Sequence, residues 1–367
     1  MVRSLKVPLD QESGLRQLLK HILESGKVSG IFTLTRVEKG RVAYALITDP
    51  RKVDEAVPLH PLMPVNLGQI LNRFTLKGIV SQPIAVVARP CELRALVEDI
   101  KRRQGRLDNI FFISYTCGGV FPLDFNTKPD QKGSLLEYWR SVRQNLINQE
   151  LRPACRSCVE FVPYTADLTI RVVDGKNEFV ALANNARGES LIDDVTDGIG
   201  EDELDEAAIA ELRKRRAEER VIVFKSYADV SGLDGLVNVF GRCIGCHACG
   251  KACPICHCTL CTFESSAFER KPEDIEGELL DKKGVRLPLG TIYFHLGRMI
   301  HMAASCVACG SCQDVCPVDI PVAVIFKKVG ESLQKKFEYV PGRDPKEAVP
   351  LSTFDAEEFM DIENEVR

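Results

Sequence analysis

The spacing of apolar residues changes character several times along the chain. Leu15, Leu18, Leu19, Ile22 and Leu23 recur at the three- and four-residue intervals of one helix face, and Gly26-Lys-Val-Ser-Gly30 is a turn, either a plain stop to that helix or a phosphate-cradling loop. Ile31 to Leu34 and Val42 to Ile47 then read as strands. Ile84-Ala-Val-Val-Ala88 is a short, wholly apolar run of the kind that forms a buried strand. It leads straight into Arg89-Pro-Cys91-Glu-Leu-Arg94, and Leu93, Leu96, Val97 and Ile100 continue at helical spacing. A second buried strand, Asn109-Ile-Phe-Phe-Ile113, ends at Ser114-Tyr-Thr-Cys117-Gly-Gly. Strand, helix, strand in this order predicts a parallel α/β unit with Cys91 and Cys117 near its two strand ends.

Further along, residues 134–149 predict a helix around Trp139, the only Trp, and residues 167–173 and 178–183 predict strands. The acidic stretch 193–206 leads into a charged helix over 204–220, a solvated surface helix with a docking surface as the alternative. Residues 221–241 read as a connection, and residues 289–304 as a helix with Ile292, Leu296, Met299 and Ile300 along one face. The tail beyond Pro341 is acidic, with Phe354 and Phe359 as anchors for a partner unless it is simply an extended arm. The expected architecture is an α/β domain over residues 1–235, a mainly α-helical domain over 236–335 and an extended acidic tail over 336–367.

Composition narrows the class. A chain of 367 residues with 45% hydrophobic and 27% charged residues suits two or three domains with real cores. The net charge of −4 comes without a basic stripe, which argues against nucleic acid as a main partner. No run of about 18 apolar residues is present, so no membrane span is expected. The first residues lack the apolar core of a signal peptide, and the expected location is the cytoplasm. Fifteen cysteines in a reducing compartment read as metal ligands rather than disulfides.

Cysteine spacing supplies the chemistry. Cys243-Ile-Gly-Cys246-His-Ala-Cys249-Gly-Lys-Ala-Cys253-Pro254 and Cys306-Val-Ala-Cys309-Gly-Ser-Cys312-Gln-Asp-Val-Cys316-Pro317 share the spacing C-x2-C-x2-C-x3-C-P of bacterial ferredoxins. Three thiolates of each run hold three corners of a 4Fe-4S cube, and the fourth ligates the cube of the other run. Two 4Fe-4S clusters are expected. The 52 residues between the runs, Pro254 to Ser305, leave room for inserted helices. Seven cysteines remain. Cys91, Cys117, Cys155 and Cys158 could form a third 4Fe-4S site from separate loops, or be buried thiols beside a C-x2-C pair that binds zinc or nothing. Cys256, Cys258 and Cys261 could complete a further cluster, bind zinc with His257, or shield the neighbouring cube. His247, inside the first run, either donates to a cluster sulfur or is simply exposed.

Three segments match a known family: Arg89-Pro-Cys91-Glu-Leu-Arg-Ala-Leu96, Ser114-Tyr-Thr-Cys117-Gly-Gly-Val-Phe-Pro122 and Cys155-Arg-Ser-Cys158-Val-Glu-Phe-Val-Pro-Tyr-Thr-Ala-Asp167. On these, residues 13 to 190 resemble the beta subunit family of deazaflavin-dependent hydrogenases and formate dehydrogenases. The resemblance implies that Cys91, Cys117, Cys155 and Cys158 ligate a third 4Fe-4S cluster beside an FAD that exchanges electrons with coenzyme F-420. It also implies that Gly26 and Gly30 belong to an FAD-binding turn. The sequence departs from the family at Lys27, where a glycine is usual, and at Leu168 to Gly175, which replaces a Gly-rich loop ending in Gly-Trp. The Cys256 to Cys261 extension is similar to one in formate dehydrogenase, sulfhydrogenase and anaerobic sulfite reductase subunits.

The expected function is therefore an electron-transfer subunit without a catalytic nucleophile of its own. Its partner would be a formate dehydrogenase, hydrogenase or heterodisulfide reductase. The alternatives are a flavin-free connector of the sulfhydrogenase or sulfite reductase kind and a redox-sensing regulator.

Overall fold

The structure is a computed structural model that describes residues 1–37, 41–127, 130–173, 178–226, 230, 232–258, 260–268, 271–284 and 290–351. Phe354, Phe359 and Leu289 lie outside the described residues. The first helix, α1 (Gln11–Glu24), starts where the Asp10 carboxylate accepts the amides of Glu12 and Ser13 at 3.1 Å. It follows a strand the apolar pattern did not reveal, β1 (Val2–Val7). Next come β2 (Gly30–Arg36), β3 (Val42–Ile47), α2 (Leu67–Thr75), β4 (Ile84–Val87), α3 (Pro90–Lys101) and β5 (Ile110–Tyr115). Then α4 (Gln131–Arg143), the single turn α5 (Pro153–Arg156), β6 (Leu168–Ile170), β7 (Phe179–Ala183), α6 (Ala186–Ile192) and β8 (Ile199–Asp202) complete the sheet region.

All eight strands form one mixed sheet in the order β3-β2-β4-β5-β6-β7-β1-β8. Its centre, β2-β4-β5-β6, is parallel, and β7, β1 and β8 extend it with antiparallel pairings. The predicted β4-α3-β5 unit is present in parallel register, Ile84 facing Ile110 and Val87 facing Ile113. Alternation along these strands feeds two cores. Ala85, Val87, Ile113 and Tyr115 join Leu15, Leu19 and Ile22 of α1 on one face. Val86, Ala88, Ile110 and Phe112 join Leu67, Leu71, Leu93 and Leu96 of α2 and α3 on the other. Fully burying each Leu or Ile contributes about 1.5–3 kcal/mol.

The second half is helical. It comprises α7 (Glu206–Lys225), α8 (Gly232–Phe240), α9 (Ala248–Lys251), α10 (Pro272–Lys282), α11 (Thr291–Met302), α12 (Ser311–Asp314) and α13 (Val322–Lys336). Its core of Phe240, Ile255, Met299, Met302, Ile320, Ile325 and Phe326 includes Ala95 of α3, so α3 is shared by sheet and helical region. Two expectations need correction here. On α11 the buried residues are Phe294, His295, Arg298, Met299 and Met302, whereas Ile300 is 76% exposed. The buried face is turned toward the cysteines, where a cation is stabilised in a way that Ile300 would not be. The start of the expected extended tail also packs back on α3. The Gly342 amide donates to the fully buried Glu98 at 2.8 Å, and Arg94 Nε donates to the Pro341 carbonyl at 2.7 Å. Among the described residues, no helix is long and apolar enough to cross a membrane.

Candidate metal centres

The two ferredoxin runs fold into the same loop. In the first, Gly245 (φ 67°) and His247 (φ 54°) lie in the left-handed region, and the matching residues of the second, Ala308 (φ 56°) and Gly310 (φ 86°), do the same. This repeated twist turns successive amides inward around the thiols, and the Gly245 amide donates to Cys243 Sγ at 3.4 Å. Each run then forms a single helical turn, and these turns, α9 and α12, pack against each other. The fourth cysteines cross over. Cys253 shares one cavity with Cys306, Cys309 and Cys312. Cys316 is the electrostatic neighbour of Cys243 and Cys249, with its Sγ accepting the Ile320 amide at 3.3 Å.

A second cavity lies at the carboxyl ends of β4 and β5, where open α/β sheets bind their ligands. Cys91, Cys117, Cys155 and Cys158 all line it. Cys91 stands in the first turn of α3, behind the buried pair of Arg89 and Glu92 (3.5 Å). Arg89 holds this turn to the carbonyls of His60 and Leu62 at 2.6 and 2.7 Å. Cys117 follows β5, and its Sγ accepts the Gly119 amide at 3.4 Å. Gly119 has φ 109°, and a Cβ there would lie 2.8 Å from Leu151 and 3.2 Å from the Cys155 Cβ. Gly119 is thus the residue that lets the Cys155 turn approach, while Gly118 makes room for Tyr138 and Val142 of α4. Arg216 of α7 closes the group from the other side, donating to the carbonyls of Cys117 (3.1 Å), Gly118 (3.0 Å) and Cys158 (3.4 Å). Ala308 and Cys309 line both cavities, so one loop forms the wall between them.

The chemistry of the lining fits an anionic, thiolate-held group. Of the seven Arg and Lys residues buried as a whole among the described residues, only Arg171 lies away from the cysteines. The other six are Arg89, Arg94, Arg152, Arg216, Arg298 and Lys327. Arg152 donates to the Cys309 carbonyl (3.3 Å) and pairs with Asp314 (2.5 Å), and Lys327 Nζ donates to Ser157 Oγ (2.9 Å) beside Cys158. Burial lowers Lys327 to about 8 and lifts Asp314 to about 6. Burial also pushes the thiol of Cys253 up to about 12 and that of Cys155 up to about 11. Thiols held protonated in this way ionise when a metal supplies positive charge, while the surrounding cations balance the bound group as a whole. Neither Arg216 nor Arg298 was singled out from the sequence. The available signal was their phase, since each falls on the buried stripe of its helix.

Other expected site residues lie elsewhere. Gly26 and Gly30 sit at the amino-terminal end of the parallel strands, because Gly30 opens β2 and pairs with Ile84 at the start of β4, while Cys91 follows its end. Lys27 is engaged by Asp193 at 2.6 Å and by Asp194, so a pyrophosphate there would meet two carboxylates. This turn does not fit an FAD site. Among the described residues, His247 donates to no cysteine sulfur. Its Nδ1 is 2.7 Å from Glu264, and its ring stacks 3.9 Å from that of Phe294. His257 faces Asp99 of α3 at 3.3 Å rather than the thiols beside it. Cys258 and Cys261 are electrostatic neighbours of Cys256, but among the described residues no three His, Cys, Asp or Glu side chains converge on a single ion. A cube asks for no such convergence, since its four thiolates bind four separate irons.

Fold and site thus define an iron-sulfur electron-transfer protein with a two-cluster ferredoxin module appended to an α/β domain. The family model for the 4Fe-4S dicluster domain matches residues 240–320. Over most of its length the chain is similar to the F420-dependent formate dehydrogenase subunit beta of Methanocaldococcus jannaschii, with 26% identity over 362 residues covering 89% of this chain and 90% of that one. The F420-dependent formate dehydrogenase 1 subunit beta of Methanococcus maripaludis is 28% identical over 368 residues, covering 89% of each chain. The family resemblance read from the sequence therefore extends along nearly the whole chain. Among solved structures, a chain of the F420-reducing NiFe hydrogenase complex from Methanosarcina barkeri overlaps 64% of this chain and 93% of its own, with a TM-score of 0.39 and 12% identity.

Proposed function

We propose that this chain is the electron-relay subunit of a formate dehydrogenase-type complex. Cys91, Cys117, Cys155 and Cys158 would hold one 4Fe-4S cluster, and the crossed ferredoxin runs two more. When bound, such clusters supply one-electron storage at potentials set by charge, hydrogen bonding and burial. The observation that carries the reading is the shared wall of Ala308 and Cys309, which brings the third group of thiols into line with the ferredoxin pair. Arg152 supports that wall from behind through the Cys309 carbonyl. Arg216 and Lys327 fix the Cys117 and Cys158 loops against it. The partner in this reading is a catalytic oxidoreductase subunit, which is supported by two relatives being named as beta subunits of F420-dependent formate dehydrogenases.

In this reading the relay works without flavin at Gly26 to Gly30, because the turn is at the end of the strands opposite the cysteines and faces carboxylates. A cleft of about 550 Å³ beside the cysteines, lined by Cys158, Cys306, Arg94, Arg220 and Lys335, is where the chain has room for a redox partner molecule. Iron and flavin quantification on anaerobically purified protein tests the proposal. About 12 irons per chain are expected for three cubes, against about 8 for the ferredoxin runs alone. A value near 8 refutes the third site. One FAD per chain, reduced by the added reduced form of coenzyme F-420 as that coenzyme is oxidised, refutes the flavin-free relay and points to the cleft.

A further inference from the structure

Arg298 is the charged side chain that α11 turns inward. It is 3% exposed and lies over the rings of Phe294 and Phe326, at 5.4 and 5.1 Å from their centroids, so water does not screen it. Among the described residues its partners are thiols and a carbonyl rather than a carboxylate, with the Cys256 thiol, which belongs to neither set of four, also hydrogen-bonded to it. Nη1 donates to Cys249 Sγ at 3.1 Å and Nη2 to the Cys249 carbonyl at 3.0 Å. Cys253 and Cys312, from the other set of four, are its electrostatic neighbours without such a contact. One guanidinium therefore stands between the two ligand sets and binds directly to only one of them.

We propose that Arg298 is a positioning residue that sets the reduction potential on the Cys243, Cys246, Cys249 and Cys316 side above that on the Cys253, Cys306, Cys309 and Cys312 side. Adding an electron makes a thiolate-held centre more negative, and a buried cation stabilises the more negative form. An N–H donated to a ligand sulfur withdraws electron density and acts in the same direction. Both effects are largest at Cys249. The electron gradient of the ferredoxin module then runs from the shared wall at Cys309 toward Cys246, the exposed thiol of the opposite set. This inference rests on the assignment of the two runs as cluster ligands, which the iron count tests separately.

The experiment is an EPR-monitored redox titration of the anaerobic full-length protein and of Arg298→Met and Arg298→Lys variants, each checked for unchanged iron. Cys246→Ser identifies the signal of the Cys249 set, since it alters that set alone. In Arg298→Met the reduced-to-oxidised ratio of that signal at fixed potential falls about tenfold, equivalent to about 59 mV for one electron, and the other signal moves by less than threefold. Arg298→Lys keeps the charge, loses the fork, and shifts the same signal by about threefold. If the methionine variant sheds iron, the lysine variant decides by the same criterion. Potentials unchanged at full iron content, or both signals moving together, overturn the proposal.

Discussion

Replacing Arg216 by Met tests whether the third group of cysteines is held as the structure indicates. Arg216 leaves the middle of α7, is 3% exposed, and joins two loops that are distant in sequence. Its good hydrogen bonds, at 3.1 Å to the Cys117 carbonyl and 3.0 Å to the Gly118 carbonyl, fix one loop, and a longer one at 3.4 Å to the Cys158 carbonyl fixes the other. A hydrogen bond to a charged donor contributes about 1.5–3 kcal/mol, so losing two strong ones and leaving their carbonyls buried costs roughly 3–5 kcal/mol. Methionine retains the packing on Phe161, whose ring centre lies 4.6 Å from the guanidinium carbon, so the loss is polar rather than steric. A cost of this size, set against a typical stability of roughly 5–15 kcal/mol, loosens the loops without unfolding the sheet. Arg216→Met should therefore drop from about 12 to about 8 irons per chain while keeping the ferredoxin clusters. Its urea midpoint should fall in step, and Arg216→Lys should lie between the two. A variant that retains about 12 irons and loses less than about 1 kcal/mol would falsify the clamp.

Three further outcomes follow from the geometry. Cys253→Ser should disturb the cluster of the second run and Cys316→Ser that of the first, read by EPR; disturbance confined to each residue's own run would refute the crossing. At Gly342, with φ 72°, an added Cβ would lie 2.2 Å from the Arg94 carbonyl oxygen. Gly342→Ala should cost about 2–4 kcal/mol in denaturant unfolding and speed hydrogen exchange at residues 339–347, whereas a neutral result would mean this segment is not docked. Burial and the neighbouring Arg89 lower His60 from 6.5 to about 4, so the folded state takes up its proton later than the unfolded chain does. Stability from this group is present above pH 6.5 and is lost as pH falls toward 4, at about 1.4 kcal/mol per pH unit. His60→Gln should remove about 2 kcal/mol of the fall between pH 6.5 and 5, and parallel curves for the two proteins would refute this.

The parts of the fold legible in the sequence are those in which one face decides the residue type. The β4-α3-β5 unit was visible because its strands are apolar on both sides, with sheet cores above and below. Strand β1 places Arg3 on the same face as Leu5, its only deeply buried apolar residue, and Lys6 on the other face beside the buried Ser4, so no alternation stands out. Strand β8, Ile199–Asp202, borders the sheet and reads as acidic loop. Helix α8 was hidden by Gly232 and Gly235, although Gly235 and Phe240 are buried. The ferredoxin ligands were legible because consecutive thiols must fit one loop, and spacing records that directly. The Cys91, Cys117, Cys155 and Cys158 group left no such record. Its members meet through the parallel register of β4 and β5, the close approach of Gly119 to the Cys155 turn and the Arg216 contacts that join the Cys117 and Cys158 loops.

The cations escaped for a related reason, and they show how the sheet and the helical region are joined. A charged residue on a charged helix looks solvated unless its phase is followed, yet Ile209, Leu212, Arg216 and Val223 form one buried stripe of α7. Lys327 of α13 crosses to the Cys158 turn, and Arg152 beside that turn crosses back to Cys309 and Asp314. A single buried ion pair is a poor source of stability, because desolvating both charges offsets their attraction. Reciprocal contacts that end on ligand-bearing loops contribute something else, a fixed separation between two groups of thiols. Electron transfer depends on that separation and on the charge nearby. The arrangement of buried cations is therefore better explained by the cysteines it surrounds than by the stability of the fold.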